Sequence, residues 1–189
     1  LTRMSYEQVE DLYPLSPMQQ GMLFSSLLAP QSGVYVEQRL CSLHGALNVS
    51  AFERAWQQVA DRHPVMRTSF VWEGVEQPVQ VVHTQAELPL EQQDWRGIEQ
   101  LRQRSQLEEF LKADRRRGFD LLAAPLARLT LLRMDDDTYQ FIWTYHHLLM
   151  DGWSGPLLVK EVFEFYVAFC RNEHLSLPLP RPYRDYIAW

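Results

Sequence analysis

The chain has 189 residues, 46% hydrophobic and 22% charged, enough apolar side chains to close one core of ordinary domain size. Eighteen Lys and Arg against 24 Asp and Glu leave a net charge of −6, the wrong sign for a binder of phosphate backbones, which excludes nucleic acid as the main partner. No apolar run reaches the roughly 18 residues a bilayer span needs, and Leu1 to Ser5 lack a basic region followed by an apolar stretch. A cytoplasmic protein with no membrane partner is therefore expected. Two cysteines, Cys41 and Cys170, without C-x-x-C spacing, supply neither a disulfide framework nor a structural zinc site and suit a reducing compartment.

Helical and strand-like patterns are mixed, with no internal repeat and no low-complexity tract. Ser16-Pro17-Met18-Gln19 reads as a helix start, with Ser16 as N-cap, Pro17 at the first helical position and Gln19 closing a capping box. That helix runs through Met22, Leu23 and Leu27. Tyr35 to Leu43 is closer to period two and predicts a strand ended by Gly45. Ser50-Ala51-Phe52-Glu53 reads as a second capping box, opening a helix with Phe52, Trp56, Val59 and Ala60 on one face and a stop before Pro64. Met66 to Trp72 and Pro78 to His83 predict a hairpin around Glu73-Gly74.

Ile98 to Arg117 predicts helix, divisible at Ser105, with Gly118 as its stop and Arg115-Arg116-Arg117 in the last turn, where cations offset the dipole. Leu126 to Met134 and Tyr139 to His146 predict strands joined by Asp135-Asp136-Asp137-Thr138, a solvated turn rather than a metal site. In the second strand Tyr139, Phe141, Trp143 and Tyr145 share one face, and Gln140, Ile142, Thr144 and His146 the other. Ser154, with Pro156 in the first turn, opens an apolar helix carrying Leu158, Val162, Phe165 and Phe169. Prolines 178, 180 and 182 then impose an extended linker.

Between that last strand and helix lies Tyr145-His146-His147-Leu148-Leu149-Met150-Asp151-Gly152-Trp153-Ser154, a polar cluster in an apolar neighbourhood, placed where a rigid scaffold holds a loop against a substrate. Imidazole suits proton transfer near neutral pH, and Asp151 is positioned to orient a ring or lock the loop. Adjacent histidines on one extended segment point to opposite sides, so one is structural and the other meets substrate. Three other readings compete. A metal site formed by His146, His147 and Asp151 would need a further ligand from His44, His63 or His83, at no recognisable spacing. Gly152-Trp153-Ser154-Gly155-Pro156 misses the serine-hydrolase pattern G-x-S-x-G at its last glycine. The two histidines can also be satisfied core residues.

The cluster resembles the H-H-x-x-x-D-G motif of the chloramphenicol acetyltransferase-like superfamily and, within it, of the condensation domains of nonribosomal peptide synthetases. Three further stretches resemble condensation-domain motifs in family order: Ser16 to Phe24, Arg62-His63-Pro64-Val65-Met66-Arg67-Thr68-Ser69-Phe70, and Tyr183-Arg184-Asp185-Tyr186-Ile187-Ala188-Trp189. Pro64 and Met66 depart from the family's usual Glu and Leu. The resemblance implies an α+β fold, a mixed β-sheet flanked by α-helices, with residues 1–189 forming the N-terminal lobe and the C-terminal lobe absent.

It also implies amide formation between two thioesters carried on 4'-phosphopantetheine arms by carrier-protein domains, with no intrinsic cofactor and no metal. The partners are those carriers, the missing lobe and neighbouring synthetase domains. Within the motif His147 is the implied catalytic group, as base or as the group that positions the amine, and Gly152 has the freedom of glycine and an N–H able to face an oxyanion. His146 supports the loop, and Asp151 pairs with Arg67 to pin it. The Met18 to Phe24 wording and Leu148-Leu149-Met150 resemble domains that follow an epimerisation domain and take a D-donor and an L-acceptor. A coenzyme A-dependent acyltransferase and a non-catalytic carrier-binding module are the alternative functions, and the isolated lobe is expected to be inactive.

Overall fold

The computed structural model describes residues 8–30 and 32–188. Two sheets organise them. Strands β1 (Val9–Pro14), β3 (Thr68–Val71) and β4 (Val79–His83) form an antiparallel sheet in the order β1-β4-β3. Strands β2 (Val36–His44), β5 (Leu90–Asp94), β6 (Ala127–Asp135) and β7 (Thr138–His146) form a second sheet in the order β2-β7-β6-β5. Only β5 and β6 run parallel, so this larger sheet is mixed and the class is α+β.

Helices α2 (Val49–Arg62) and α4 (Ser154–Cys170) cover one face of the larger sheet. Phe52 and Trp56 of α2 meet Phe141 with ring centroids 5.1 and 5.5 Å apart, and Trp56 lies 5.0 Å from Trp143. Removing a fully buried ring of this kind costs about 3–5 kcal/mol. The other face is covered by α3 (Gln100–Arg117), whose Leu107, Phe110 and Leu111 pack on Trp95, Leu132 and Ile142. With both faces covered, Phe141 to His146 are all buried, and the period-two alternation read from the sequence becomes two cores.

A polar knot joins α3 to that sheet. Asp114 accepts from Arg128 Nε at 2.6 Å, from Thr144 Oγ1 at 2.7 Å and from Gln38 Nε2 at 2.9 Å. Burial pushes its carboxyl up, but the Arg128, Thr144 and Gln38 donors outweigh it and leave the group below the usual carboxylate range. Gly118, at φ 60°, ends α3 in the left-handed region that an L side chain disfavours.

Several boundaries differ from the sequence reading. The cap of α2 is Asn48, which accepts from Ala51 N at 3.1 Å, so the helix starts ahead of the expected Ser50. Asn is as strong a cap as Ser, and the earlier start adds Val49 and Ser50 to the helix. Pro64–Arg67 is a short 3-10 helix, not strand, leaving β3 only four residues. Helix α3 is unbroken because Ser105 Oγ donates back to Arg102 O at 3.0 Å instead of capping a second segment. Strands β1 and β5 and the short α5 (Tyr183–Ala188) have no counterpart among the elements expected from the sequence. The fourth resembling motif ends at Trp189, outside the described residues.

Candidate functional site

The site forms where β7 ends and the chain turns toward α4. Each expected feature at the start of α1 (Pro17–Leu28) is present: Ser16 Oγ accepts from Gln19 N at 3.2 Å and Gln19 Oε1 accepts from Ser16 N at 3.0 Å. Gln19 does more than cap. Its buried amide pairs head to head with Gln80 of β4, and Gln19 Nε2 also donates to Leu148 O at 3.0 Å. The helix start, the smaller sheet and the histidine loop thus share one amide pair. Leu148, Leu149 and Met150 are buried in the main core, so the loop is anchored by apolar side chains between its polar ends.

The two histidines have different surroundings. His146 is buried; its Nδ1 accepts from Leu148 N at 3.2 Å and its Nε2 lies 3.3 Å from Ser26 Oγ. An accepting Nδ1 requires the proton on Nε2, which then donates to the serine. Burial, with the nearby His147 adding to it, pushes the His146 pKa down to about 4, so the ring is neutral near pH 7. A cavity of about 200 Å³ opens beside it, lined in part by Ser26, Tyr35, Trp72 and Phe119. His147 is tied through its backbone N–H to Tyr35 O at 2.8 Å. Its buried Nδ1 has no hydrogen-bond partner among the described residues.

Asp151 and Arg67 do not pair. Asp151 is exposed and its Oδ1 accepts from Trp153 N at 3.1 Å, Ser154 N at 2.9 Å and Ser154 Oγ at 2.8 Å. Those Ser154 and Trp153 donors hold its carboxyl below the usual range. It satisfies orphan N–H groups at the start of α4, the task the sequence suggested for Ser154. Arg67 is buried, with Nη1 2.8 Å from Glu10 Oε2 and a further bond to the His83 carbonyl. Glu10, on strand β1, is the acidic partner in the place that the family resemblance gave to Asp151.

Gly152 also departs from expectation. Its φ lies outside the left-handed region, and a Cβ built there would meet nothing within 4 Å. The space beside it is open rather than filled by the protein's own chain. Its carbonyl accepts from Arg39 Nη2 at 3.2 Å, and Arg39 Nε donates to Tyr145 Oη at 3.1 Å. Gln19, Ser26, Gln80 and Arg39 all hold this loop, yet only Gln19 stands out in the sequence, as a cap. Polar residues from distant parts of the chain carry no spacing relative to the loop, although Gln19 lies in a stretch that resembles a family motif.

Among the described residues no group of three or more His, Cys, Asp or Glu side chains is gathered as a metal centre would need, and no helix is long and apolar enough to cross a membrane. Asp136 and Asp137 form the exposed turn between β6 and β7, next to Asp135 at the exposed end of β6.

A family model described as Condensation domain matches residues 9–189. The chain is 45% identical over 181 residues to a linear gramicidin synthase polypeptide of Brevibacillus parabrevis, covering 96% of this chain and 4% of that one. It is 36% identical over 182 residues to bacitracin synthase 1 of Bacillus licheniformis, again covering 96% of this chain and 4% of that one. It therefore spans a small part of these relatives. The starter condensation domain of rhizomide synthetase RzmA has the same fold, with a TM-score of 0.84 at 23% identity over 95% of this chain and 44% of that one.

Proposed function

The chain belongs to the condensation-domain family of nonribosomal peptide synthetases, and on that premise we propose that it is the N-terminal lobe of a domain that forms peptide bonds. The substrates are a donor peptidyl or aminoacyl thioester and an acceptor aminoacyl thioester, each tethered to a carrier-protein domain through 4'-phosphopantetheine. The acceptor amine attacks the donor carbonyl, the C–N bond forms, the C–S bond breaks, and the proton lost by the nitrogen ends on the departing thiolate. Thioesters are already activated, so holding two tethered substrates in register supplies a large share of the acceleration.

The observation that carries this reading is the contrast between the two rings. His146 has both nitrogens committed, to Leu148 and Ser26, and serves as a neutral strut. His147 is held through its backbone N–H, and among the described residues no hydrogen bond commits its ring, which leaves it as the group to receive a proton from the amine or hold it by a hydrogen bond. The Gly152 N–H, beside open space, is our candidate donor to the tetrahedral oxyanion. Asp151 and Arg67 support the site from separate places, by capping α4 and by tying the 3-10 helix to β1 and β4.

The C-terminal lobe and neighbouring synthetase domains complete the machine, and the isolated lobe is inactive. We assign the acceptor to the L series and the donor to the D series, from the wording of the first motif and of Leu148 to Met150, and place the protein in the cytoplasm, where the exposed free thiols Cys41 and Cys170 remain reduced.

The test is dipeptide formation by the complete two-lobed domain with loaded carriers. Replacing His147 by Ala is expected to cut turnover by about 10²–10⁴-fold with an unchanged circular dichroism spectrum. Near-normal turnover would overturn the assignment. Equal use of coenzyme A and carrier thioesters would favour a general acyltransferase, and donors of both configurations separate the subtypes.

A further inference from the structure

Arg39 projects from β2, an edge strand of the larger sheet, far in sequence from the histidine motif. Its guanidinium nonetheless makes two directed contacts at the motif's two ends. Nε donates to the phenol oxygen of Tyr145, the residue before the histidines, and Nη2 donates to the carbonyl of Gly152, the residue after Asp151. A planar guanidinium can hold two such acceptors at once, which an ammonium cannot match. The third contact is steric. A Cβ at Gly155, in the first turn of α4, would lie 3.1 Å from Arg39 Cζ, Nε and Nη2. Gly155 therefore provides the space in which the guanidinium lies flat against the helix. Glycine is otherwise a poor choice for a helical position, where alanine is favoured.

We propose that Arg39 is a positioning residue for the reaction, fixing the distance between the end of β7 and the Gly152 peptide, and that Gly155 is glycine to admit it. The inference rests on the function proposed above and adds a determinant outside the motifs by which the family is recognised. Loss of Arg39 leaves the buried Leu148 to Met150 segment in place, so the fold persists, but it loosens the Asp151 cap, because the Trp153 N–H bound there belongs to the Gly152 peptide that Arg39 holds. The Gly152 peptide is then free to shift relative to His147. Displacement of a reacting group by about 1 Å is enough to cost on the order of 10²-fold in rate.

In the complete domain with loaded carriers, Arg39→Ala is expected to lower kcat about 10–100-fold while KM for either carrier substrate moves less than about threefold. Arg39→Lys recovers only part of the loss. Gly155→Val, by displacing the guanidinium, reproduces the Arg39→Ala defect, and the double variant is no worse than Arg39→Ala alone. Amide hydrogen exchange in the unliganded domain supplies a readout that does not depend on turnover: Trp153 and Ser154 N–H groups exchange at least about tenfold faster in Arg39→Ala. Unchanged exchange at those amides, kcat within twofold of the parent, or a double variant whose loss equals the product of the single losses would overturn the proposal. A parent domain that forms no amide would refute the proposed function, while the exchange comparison would still decide the role of Arg39.

Discussion

His146 makes the fold acid-sensitive in a calculable way. Its pKa lies at about 4 in the folded chain against an ordinary value of 6.5, so below pH about 6.5 the unfolded chain takes up a proton that the folded chain refuses. Stability from this ring is complete above that value and drains as pH falls toward 4. With about 1.36 kcal/mol per unit, the loss between pH 7 and pH 5 comes to about 2 kcal/mol, nearing 3 kcal/mol by pH 4. The physical event is the breaking of the Leu148 N–H to Nδ1 bond, because a doubly protonated ring has no acceptor to offer. The assay is denaturant unfolding of the domain at both pH values, for the parent and for His146→Gln, whose neutral amide can still accept from Leu148 and donate to Ser26. The variant should lack the acid penalty of about 2 kcal/mol, while contributions from His83 and the carboxylates remain in both proteins and cancel. An acid loss of equal size in the two proteins would refute the reasoning.

Asp114→Asn leaves Arg128 buried without its counter-charge and should destabilise the domain by about 3–5 kcal/mol, read as a lower denaturation midpoint with little change in the residual activity of the folded fraction. Because Arg67 bonds Glu10 and the His83 carbonyl while Asp151 caps α4, Arg67→Ala and Asp151→Ala should have additive effects on stability; a coupling energy above about 0.5 kcal/mol would show that the two groups meet.

Local rules made much of this fold legible. The Ser16 capping box, the buried stripe of α2, the Thr68 to His83 hairpin and the β6-β7 pair follow from contacts within a few residues, and the sequence carries them directly. Strand β5 has no such signal: it alternates weakly, with Glu91, Gln92 and Gln93 at its centre, and pairs in parallel with β6, a partner distant in sequence. The histidine loop could be located from its composition and neighbours, but its supports could not. Gln19, Ser26, Gln80 and Arg39 converge on it only after two sheets and a helix have been assembled. The family resemblance suggested an Arg67 to Asp151 pair; the competing fact was a three-residue Asp-to-Ser spacing that lets Asp151 satisfy its own helix start.

The head-to-head amides of Gln19 and Gln80 have a consequence for how the domain fails when heated. They bridge the smaller sheet, the first helix and the carbonyl of Leu148, so opening of those three short antiparallel strands is transmitted to the segment bearing His147. Loss of the smaller sheet on heating is therefore expected to disturb the histidine loop in the same step, with release of the Gln19–Gln80 pair as the link between them.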